Sequence, residues 1–211
     1  MSRTRNFVIG GAALGGLAGI VTWVARERNE PSACPYGQRW FLDLPRPFLR
    51  RGTLRGLLEP FPGERILEVG PGTGYYSLDV ARYLTPGGQL DAVDLQQPTL
   101  DELTRRAALR GITNIVPTHD DARLLPFPES TFDAAYMVAT LGEIPSRDLA
   151  LSELRRVVKP GGRVVIGEGQ PDPHMVSLED LRRRAEAVGF TVERHIGGRL
   201  GYMALLRVRR D

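Results

Sequence analysis

The stretch ILEVGPGTG, at residues 66–74, is the most informative part of this chain. Its apolar first half predicts a buried strand, and Gly70, Gly72 and Gly74 predict a tight turn directly after that strand. Because such a turn carries few side chains, its backbone can approach a nucleotide-like ligand closely. Ordinary strand–turn–helix connections also contain such glycines, so the function of this turn has to be judged from the sequence that follows it.

The composition limits the classes of protein that need to be considered. The chain has 211 residues, 42% of them hydrophobic, and a formal charge of +3, which predicts one α/β domain with a substantial core. Its arginine pairs and triplets alternate with acidic and apolar residues at helical spacing, a pattern typical of solvated helix faces. We therefore predict no nucleic-acid partner. The single cysteine, Cys34, excludes an intramolecular disulfide, and the three scattered histidines predict no metal site.

An uncharged apolar segment lies near the start of the chain, at residues 7–25, with arginines on both sides. It is just long enough to span a bilayer, and Gly11, Gly15 and Gly19 place small residues on one helix face where a second such helix could pack. We predict that residues 1–28 form an uncleaved membrane anchor or hydrophobic segment, with self-association through the glycine repeat. More arginines follow the segment than precede it, which favours a domain on the cytoplasmic face.

Residues 29–52 are rich in proline and aromatic side chains, which marks a boundary before the main domain. Two interpretations are open for this region. It is either a linker that packs Trp40 and Phe41 on the core or a lid over a ligand cleft, and in the second case Tyr36 faces the ligand. The remaining residues, 53–211, are predicted to form the main domain.

Strands and helices alternate from residue 65 onward, which predicts a mostly parallel sheet covered on both faces. After the first strand, further strands are predicted at residues 90–94, 114–117, 132–138, 163–167, 190–196 and 202–208, and helices at 76–84, 98–109, 148–158 and 178–188. The short link between the last two strands predicts an antiparallel pair that closes the sheet.

Five landmarks follow one another along this pattern. They are LEVGPGTG at residues 67–74, VD at 93–94, DA at 121–122 with LPF at 125–127, FD at 132–133, and LRRVVKPGG at 154–162. In this order they resemble the class I S-adenosylmethionine-dependent methyltransferases, in particular the small-molecule "type 11" and quinone-biosynthesis branch. The resemblance covers residues 63–169. It implies a Rossmann-like three-layer α/β sandwich, with a seven-stranded, mostly parallel sheet whose last strand is antiparallel.

The resemblance implies S-adenosylmethionine as cofactor and assigns a role to the first landmark. Glu68 would orient the methionine part of the cofactor by accepting hydrogen bonds, directly or through water. Gly70, Gly72 and Gly74 would admit the adenosyl group. The KPGG motif at residues 159–162 is predicted to be structural: it would end a helix and start a strand, with its glycines at positive φ.

The acids after the second and third strands complete the expected cofactor site. Asp94, about twenty residues beyond the glycine turn, would bind both ribose hydroxyls. Asp121 would accept the adenine amino proton, although the preceding aspartate competes for this role. Ala122 would supply a backbone contact, and Leu95 or Leu124 an apolar wall.

Methyl transfer from a sulfonium is an in-line displacement in which the enzyme mainly aligns the acceptor and excludes water, so no catalytic residue is obligatory. If the acceptor needs a base, the candidates are Glu143, His174 and Tyr36. ATLG, at residues 139–142, replaces the Asn/Asp-Pro-Pro-Tyr signature of nucleic-acid amino methylation. This favours a small or lipid-like acceptor.

Three other functions share part of the pattern. A non-catalytic, membrane-attached protein that binds S-adenosylmethionine would keep the same cofactor residues. An NAD-dependent oxidoreductase would share the glycines and the strand-two acid, but it has no use for Asp121 and Ala122. Since Lys159 is the only lysine, the chain also lacks a Tyr-x-x-x-Lys pair. A propylamine-transferring relative would need additional acids near the cleft.

Overall fold

The computed structural model describes residues 49–170 and 172–210. Strands and helices alternate along most of this region. The strands are β1 (Arg65–Val69), β2 (Gln89–Asp94), β3 (Ile115–His119), β4 (Phe132–Val138), β5 (Val158–Gly169), β6 (Phe190–Gly198) and β7 (Gly201–Val208). The helices are α1 (Arg51–Leu58), α2 (Ser77–Tyr83), α3 (Gln97–Ala108), α4 (Arg147–Val157) and α5 (Leu178–Ala187), and a short 3₁₀ turn covers Leu141–Glu143.

The seven strands form one sheet in the order β3-β2-β1-β4-β5-β7-β6. The pairs from β3 through β5 are parallel, whereas β7 lies between β5 and β6 and runs antiparallel to both. This arrangement confirms the predicted Rossmann-like sheet with an antiparallel last strand. The C-terminal hairpin, β6 and β7, therefore completes the sheet, with β7 inserted between β5 and β6.

Successive residues of the central strands belong to different layers of the core, because side chains alternate between the two faces of a strand. In β4, Ala135 and Met137 pack in one hydrophobic cluster with α4 and α5, and Ala134 and Tyr136 pack in another with α1, α2 and α3. Both faces are thus buried, which explains why the sequence of β4 is apolar almost throughout.

The predicted elements agree with the structure to within a few residues, but the KPGG motif differs from expectation. Residues 159–162 lie inside β5, at an irregularity between two pairings of β4 with β5, Phe132 with Val158 and Ala134 with Arg163. Gly161 has the predicted positive φ, of 76°, and Gly162 does not. A Cβ on Gly162 would lie 2.8 Å from the Lys159 carbonyl oxygen, so the second glycine is required by close packing.

The chain enters the described domain at the carboxyl edge of the sheet. Leu49 is buried, and a Cβ on Gly167 or on Gly169 of β5 would lie 3.4 Å from its side chain. The hydroxyl of Tyr76 donates a hydrogen bond of 2.6 Å to the Leu49 carbonyl oxygen. The guanidinium of Arg51 lies 4.0 Å from the centre of the Tyr75 ring, immediately after the glycine turn.

Several predictions concern residues outside the described ranges: the apolar segment at 7–25 with its glycine repeat, most of the region 29–52, and Tyr36. Residues 49–170 and 172–210 include no helix that is both long enough and apolar enough to cross a membrane. Over the same ranges, histidines, cysteines and acids form no group of three or more that could hold a metal ion.

Candidate functional site

The glycine turn lies at the carboxyl end of β1, with all three glycines in the left-handed region. Their φ angles are 71° at Gly70, 53° at Gly72 and 89° at Gly74. A Cβ on Gly70 would overlap Oγ1 of Thr140, and one on Gly74 would lie 2.7 Å from Cδ1 of Leu103. Backbone conformation favours glycine at all three positions, and at Gly70 the side chain of Thr140 also leaves no space for a Cβ. At its glycines, the turn therefore presents only main chain at the edge of the sheet.

Glu68 is the penultimate residue of β1, and only 2% of its surface is exposed. Burial raises the pKa of its carboxyl group to about 7, and the negative charge of Asp94 adds to the increase. The hydroxyls of Ser77 and Tyr136 lower this pKa in part, although neither reaches hydrogen-bond geometry with the carboxyl group. Among the described residues, Oε2 of Glu68 has no hydrogen-bond partner. A buried carboxyl oxygen without a partner costs free energy, which a bound donor or cation would offset.

Asp94 ends β2, the strand next to β1, and is partly buried. Its Oδ1 accepts a hydrogen bond of 2.8 Å from the backbone N–H of Gln96. Burial raises the pKa of Asp94, while the backbone N–H groups of Gln96 and Gly72 oppose the increase. Because the backbone N–H of Gly72 is among the groups that lower the pKa of Asp94, this carboxylate lies close to the glycine turn.

Asp121 and Ala122 follow β3 and lie beside the end of β2, because the N–H of Asp120 donates to the Asp94 carbonyl oxygen at 3.2 Å. The carboxylate of Asp121 accepts a hydrogen bond of 2.6 Å from Nη2 of Arg123. This guanidinium lowers the pKa of Asp121 and keeps it ionised. Ala122 packs against the core.

The two predicted apolar wall residues are both solvent-exposed at this edge. Leu95, directly after β2, is 58% exposed, and Leu124, in the loop after β3, is 73% exposed. A large exposed leucine is common on its own, but two of them flank the same group of acids. They are available to cover an apolar ring placed between them.

A side chain of helix α3 forms a hydrogen bond with the glycine turn. Nη1 of Arg106 donates to Oγ1 of Thr73 at 3.1 Å, and Nε of the same arginine donates to Glu102 at 2.8 Å. The guanidinium groups of Arg105 and Arg106 lower the pKa of Glu102 to about 2, so this acid stays ionised. The resulting network ties the middle of the turn to the helix that follows β2.

Two of the candidate bases, Glu143 and His174, fall within the described ranges, in the loops after β4 and β5. Glu143 is half-buried at the end of the 3₁₀ turn. The imidazole of His174 is 7% exposed, and its Nδ1 lies 3.8 Å from the carboxylate of Asp172. The two loops meet directly, since a Cβ on Gly142 would overlap the His174 carbonyl oxygen.

These features fit an adenosyl ligand that carries a cationic centre. The turn offers backbone where the ligand must approach closely, Glu68 offers an oxygen without a partner, and Asp94 offers a carboxylate at the adjacent strand end. A buried acid is suited to a positive centre, whereas it would repel a pyrophosphate. The described residues at this edge therefore match S-adenosylmethionine better than a dinucleotide.

Several residues that surround these groups were not predicted from the sequence. Thr140, which packs on Gly70, and the hydroxyls of Ser77 and Tyr136 are brought to the site by packing between strands and helices. Glu168 is a fully buried acid near the end of β5. An acid within the apolar run VVIGEG was a signal that could have marked it.

The matched family model is the "Methyltransferase domain", over residues 66–162. The "Ubiquinone/menaquinone biosynthesis C-methyltransferase UbiE" of Cellvibrio japonicus is 38% identical over 107 residues, which are 50% of this chain and 43% of that protein. The "Demethylmenaquinone methyltransferase" of Symbiobacterium thermophilum is 36% identical over 105 residues, 49% of this chain and 42% of that protein. The match thus spans less than half the length of each relative.

Solved structures share the fold. A SAM-dependent methyltransferase from Aquifex aeolicus has a TM-score of 0.70 at 21% identity, over 83% of this chain and 100% of the other. The [4+2]-cyclase SpnF has a TM-score of 0.69 at 20% identity, over 76% and 81%. The cyclase illustrates that this fold alone does not name a reaction. Residues 66–162 therefore match a methyltransferase domain, and the sheet order is that of the class I S-adenosylmethionine-dependent methyltransferase fold.

Proposed function

We propose that this protein transfers a methyl group from S-adenosylmethionine to a small hydrophobic acceptor of the quinone type. The observation that carries the proposal is the convergence of the glycine turn, the unpartnered oxygen of Glu68 and the carboxylate of Asp94 at one edge of the sheet. The names of the two curated relatives support the acceptor class, because both name a quinone.

Different residues at this edge bind different parts of the cofactor. Glu68 binds the methionine part, Asp94 the ribose hydroxyls, and Asp121 with Ala122 the adenine, between Leu95 and Leu124. When bound, S-adenosylmethionine supplies a methyl group on a sulfonium, which an aligned nucleophile can displace. The chain contributes alignment and the exclusion of water.

The loops after β4 and β5 are the proposed acceptor side. They lie next to the glycine turn, since Thr140 packs on Gly70. A reduced quinone that accepts a methyl group on a ring carbon also has to lose a proton, and Glu143 and His174 are the candidate bases in these loops. We also propose that residues 29–52 cover the acceptor, which makes Tyr36 a third candidate base.

We expect the purified protein to transfer a labelled methyl group from S-adenosylmethionine to reduced demethylmenaquinone with a short isoprenoid chain. We expect Asp94→Asn to weaken S-adenosylmethionine binding by about 2 kcal/mol, roughly thirtyfold in Kd, because a charged acceptor is lost. Calorimetry measures the binding, and product analysis measures the transfer.

Asp101→Asn is the matched control. Asp101 is an exposed acid on α3, and its carboxylate accepts a hydrogen bond of 2.8 Å from the side chain of Gln97. This variant should leave Kd unchanged. Unchanged binding in Asp94→Asn would count against the cofactor site. Tight binding without transfer to any quinol, phenol, thiol or lipid amine would instead identify a non-catalytic cofactor-binding protein.

We expect Gly70→Ala to abolish measurable cofactor binding, because its Cβ would overlap Thr140 and its φ of 71° is unfavourable for alanine. Gly63→Ala is the control: its φ is 87°, yet nothing lies within 4 Å of the added Cβ. Both variants carry the backbone strain, so thermal unfolding should detect both. Calorimetry should detect a loss of binding in Gly70→Ala alone, and equal losses in the two variants would contradict the close-approach role.

Cofactor affinity should rise with pH between about 5 and about 7 and then level off. The pKa of Glu68 is about 7 without ligand, and a cationic ligand beside it favours the ionised form. Binding near pH 6.5 should therefore release a proton, measurable by calorimetry in buffers of different ionisation enthalpy. Glu68→Gln should release none, and an affinity that falls over this pH range would refute the proposed role of Glu68.

We also propose that residues 7–25 hold the domain at the cytoplasmic face of a membrane, where a lipid-like acceptor is available. Entry of the chain at Leu49, on the same edge as the site, supports this proposal. The full chain should co-sediment with membranes, and a variant lacking residues 1–28 should stay in solution while binding S-adenosylmethionine normally. Equal membrane binding by the two proteins would disprove the anchor.

A further inference from the structure

The carboxyl group of Glu168 has no part in the cofactor site described above. Glu168 is the penultimate residue of β5 and is completely buried. Its neighbours on the same strand, such as Val165 and Ile166, belong to the hydrophobic core. Placing an ionisable group in such surroundings is unfavourable, so the position calls for an explanation other than packing.

The two oxygens of Glu168 bind two different loops. Oε1 accepts from the backbone N–H of Gly142 at 3.4 Å, and Oε2 accepts from the backbone N–H of Val176 at 3.1 Å. Gly142 belongs to the 3₁₀ turn after β4, and Val176 to the loop after β5. One side chain thus joins the two loops that border the proposed acceptor side.

Other contacts fix the positions of the same two loops, and Arg147 bonds to both of them. Nη2 of Arg147 donates to the carbonyl oxygens of Gly142, at 2.9 Å, and of His174, at 3.5 Å. The hydroxyl of Tyr202 donates to the Val176 carbonyl oxygen at 2.9 Å. Because Gly142 has no room for a Cβ against His174, the loops pack without a gap.

The surroundings of Glu168 are electrostatically unfavourable. Burial raises the pKa of its carboxyl group to about 8, and the nearby acids Asp172 and Glu143 add to the increase. The two backbone N–H groups lower the pKa only in part. An apolar side chain would avoid this cost, and replacing buried charges by packed apolar groups is often stabilising. An apolar side chain could not, however, bind either loop.

We propose that Glu168 is a positioning residue for the acceptor side of the site. By accepting one N–H from each loop, it holds Leu141–Glu143 and residues 172–177 as a single wall. That wall fixes Glu143 and His174 relative to the glycine turn, which the preceding Thr140 contacts. The inference rests on the proposed function, since it assigns these loops to the acceptor.

Glu168→Gln tests the inference in the full-length protein. The amide keeps one acceptor oxygen, but its NH₂ group would face the N–H of one loop. We expect hydrogen exchange at the Gly142 and Val176 amides to accelerate together, by about tenfold. The KM for short-chain reduced demethylmenaquinone should rise by a similar factor, while the Kd for S-adenosylmethionine stays unchanged.

Two further variants separate positioning from general destabilisation. Asp133→Asn is the matched control, because Asp133 also accepts a backbone N–H from another element, that of Arg65 at 3.0 Å, but at the opposite edge of the sheet. This variant should change neither the exchange rates of the Gly142 and Val176 amides nor the KM for the acceptor and the Kd for S-adenosylmethionine. Tyr202→Phe removes only the bond to Val176, and it should nevertheless accelerate exchange at Gly142 if the two loops move as one wall.

Exchange that accelerates at only one amide in Glu168→Gln, or a Gly142 amide unaffected by Tyr202→Phe, would overturn the inference. A parallel loss of cofactor affinity would also overturn it, since the effect would then not be confined to the acceptor side. Should the wild-type protein methylate none of the acceptors, the proposed function fails in its chemistry. The exchange measurements still decide whether Glu168 joins the loops.

Discussion

Close contact at the carboxyl end of β1 is the constraint on which the site depends. Gly70 donates its N–H to the Val93 carbonyl oxygen of β2 at 2.9 Å, and it packs on Thr140, which follows β4. Three strand ends thus meet around one residue that has no side chain. A Cβ at this position would overlap the side chain of Thr140, so the strand ends could not approach as closely as they do. The absence of a side chain at Gly70 therefore allows the end of β1 to contact both the end of β2 and the residue that follows β4.

Burial of acids is the second physical feature of this edge. The pKa values of Glu68 and Glu168 are raised to about 7 and about 8, and that of Asp94 is also raised, in each case mainly by removal from water. Such groups reduce the stability of an empty protein. They cluster where parallel strands end, which is where α/β sheets bind ligands. The acids differ in their partners: Glu168 binds two backbone N–H groups, whereas Oε2 of Glu68 has no hydrogen-bond partner among the described residues.

Particular elements show how far sequence alone could go. The apolar runs and helix periods predicted the alternating fold, because both faces of the sheet are buried and each helix needs one apolar side. The order of the landmarks placed Glu68, Asp94 and Asp121 at one edge, and the structure brings them together. The second glycine of KPGG was misjudged because close packing, which a linear pattern does not record, is what requires it. The pairing of Asp121 with Arg123 was not foreseen either.

Taken by itself, the sequence determined the fold class and the position of the glycine turn, because hydrophobic period and glycine spacing are local properties of the chain. The order of the landmarks added the resemblance to the methyltransferases. Only the tertiary structure decided which groups surround these residues. Thr140 stands far from Gly70 along the chain, as Tyr136 does from Glu68 and Glu168 from Gly142, and each pair meets through strand register. The burial of Glu68 and Glu168 and their raised pKa values follow from such long-range contacts, so they could be assigned only from the tertiary structure.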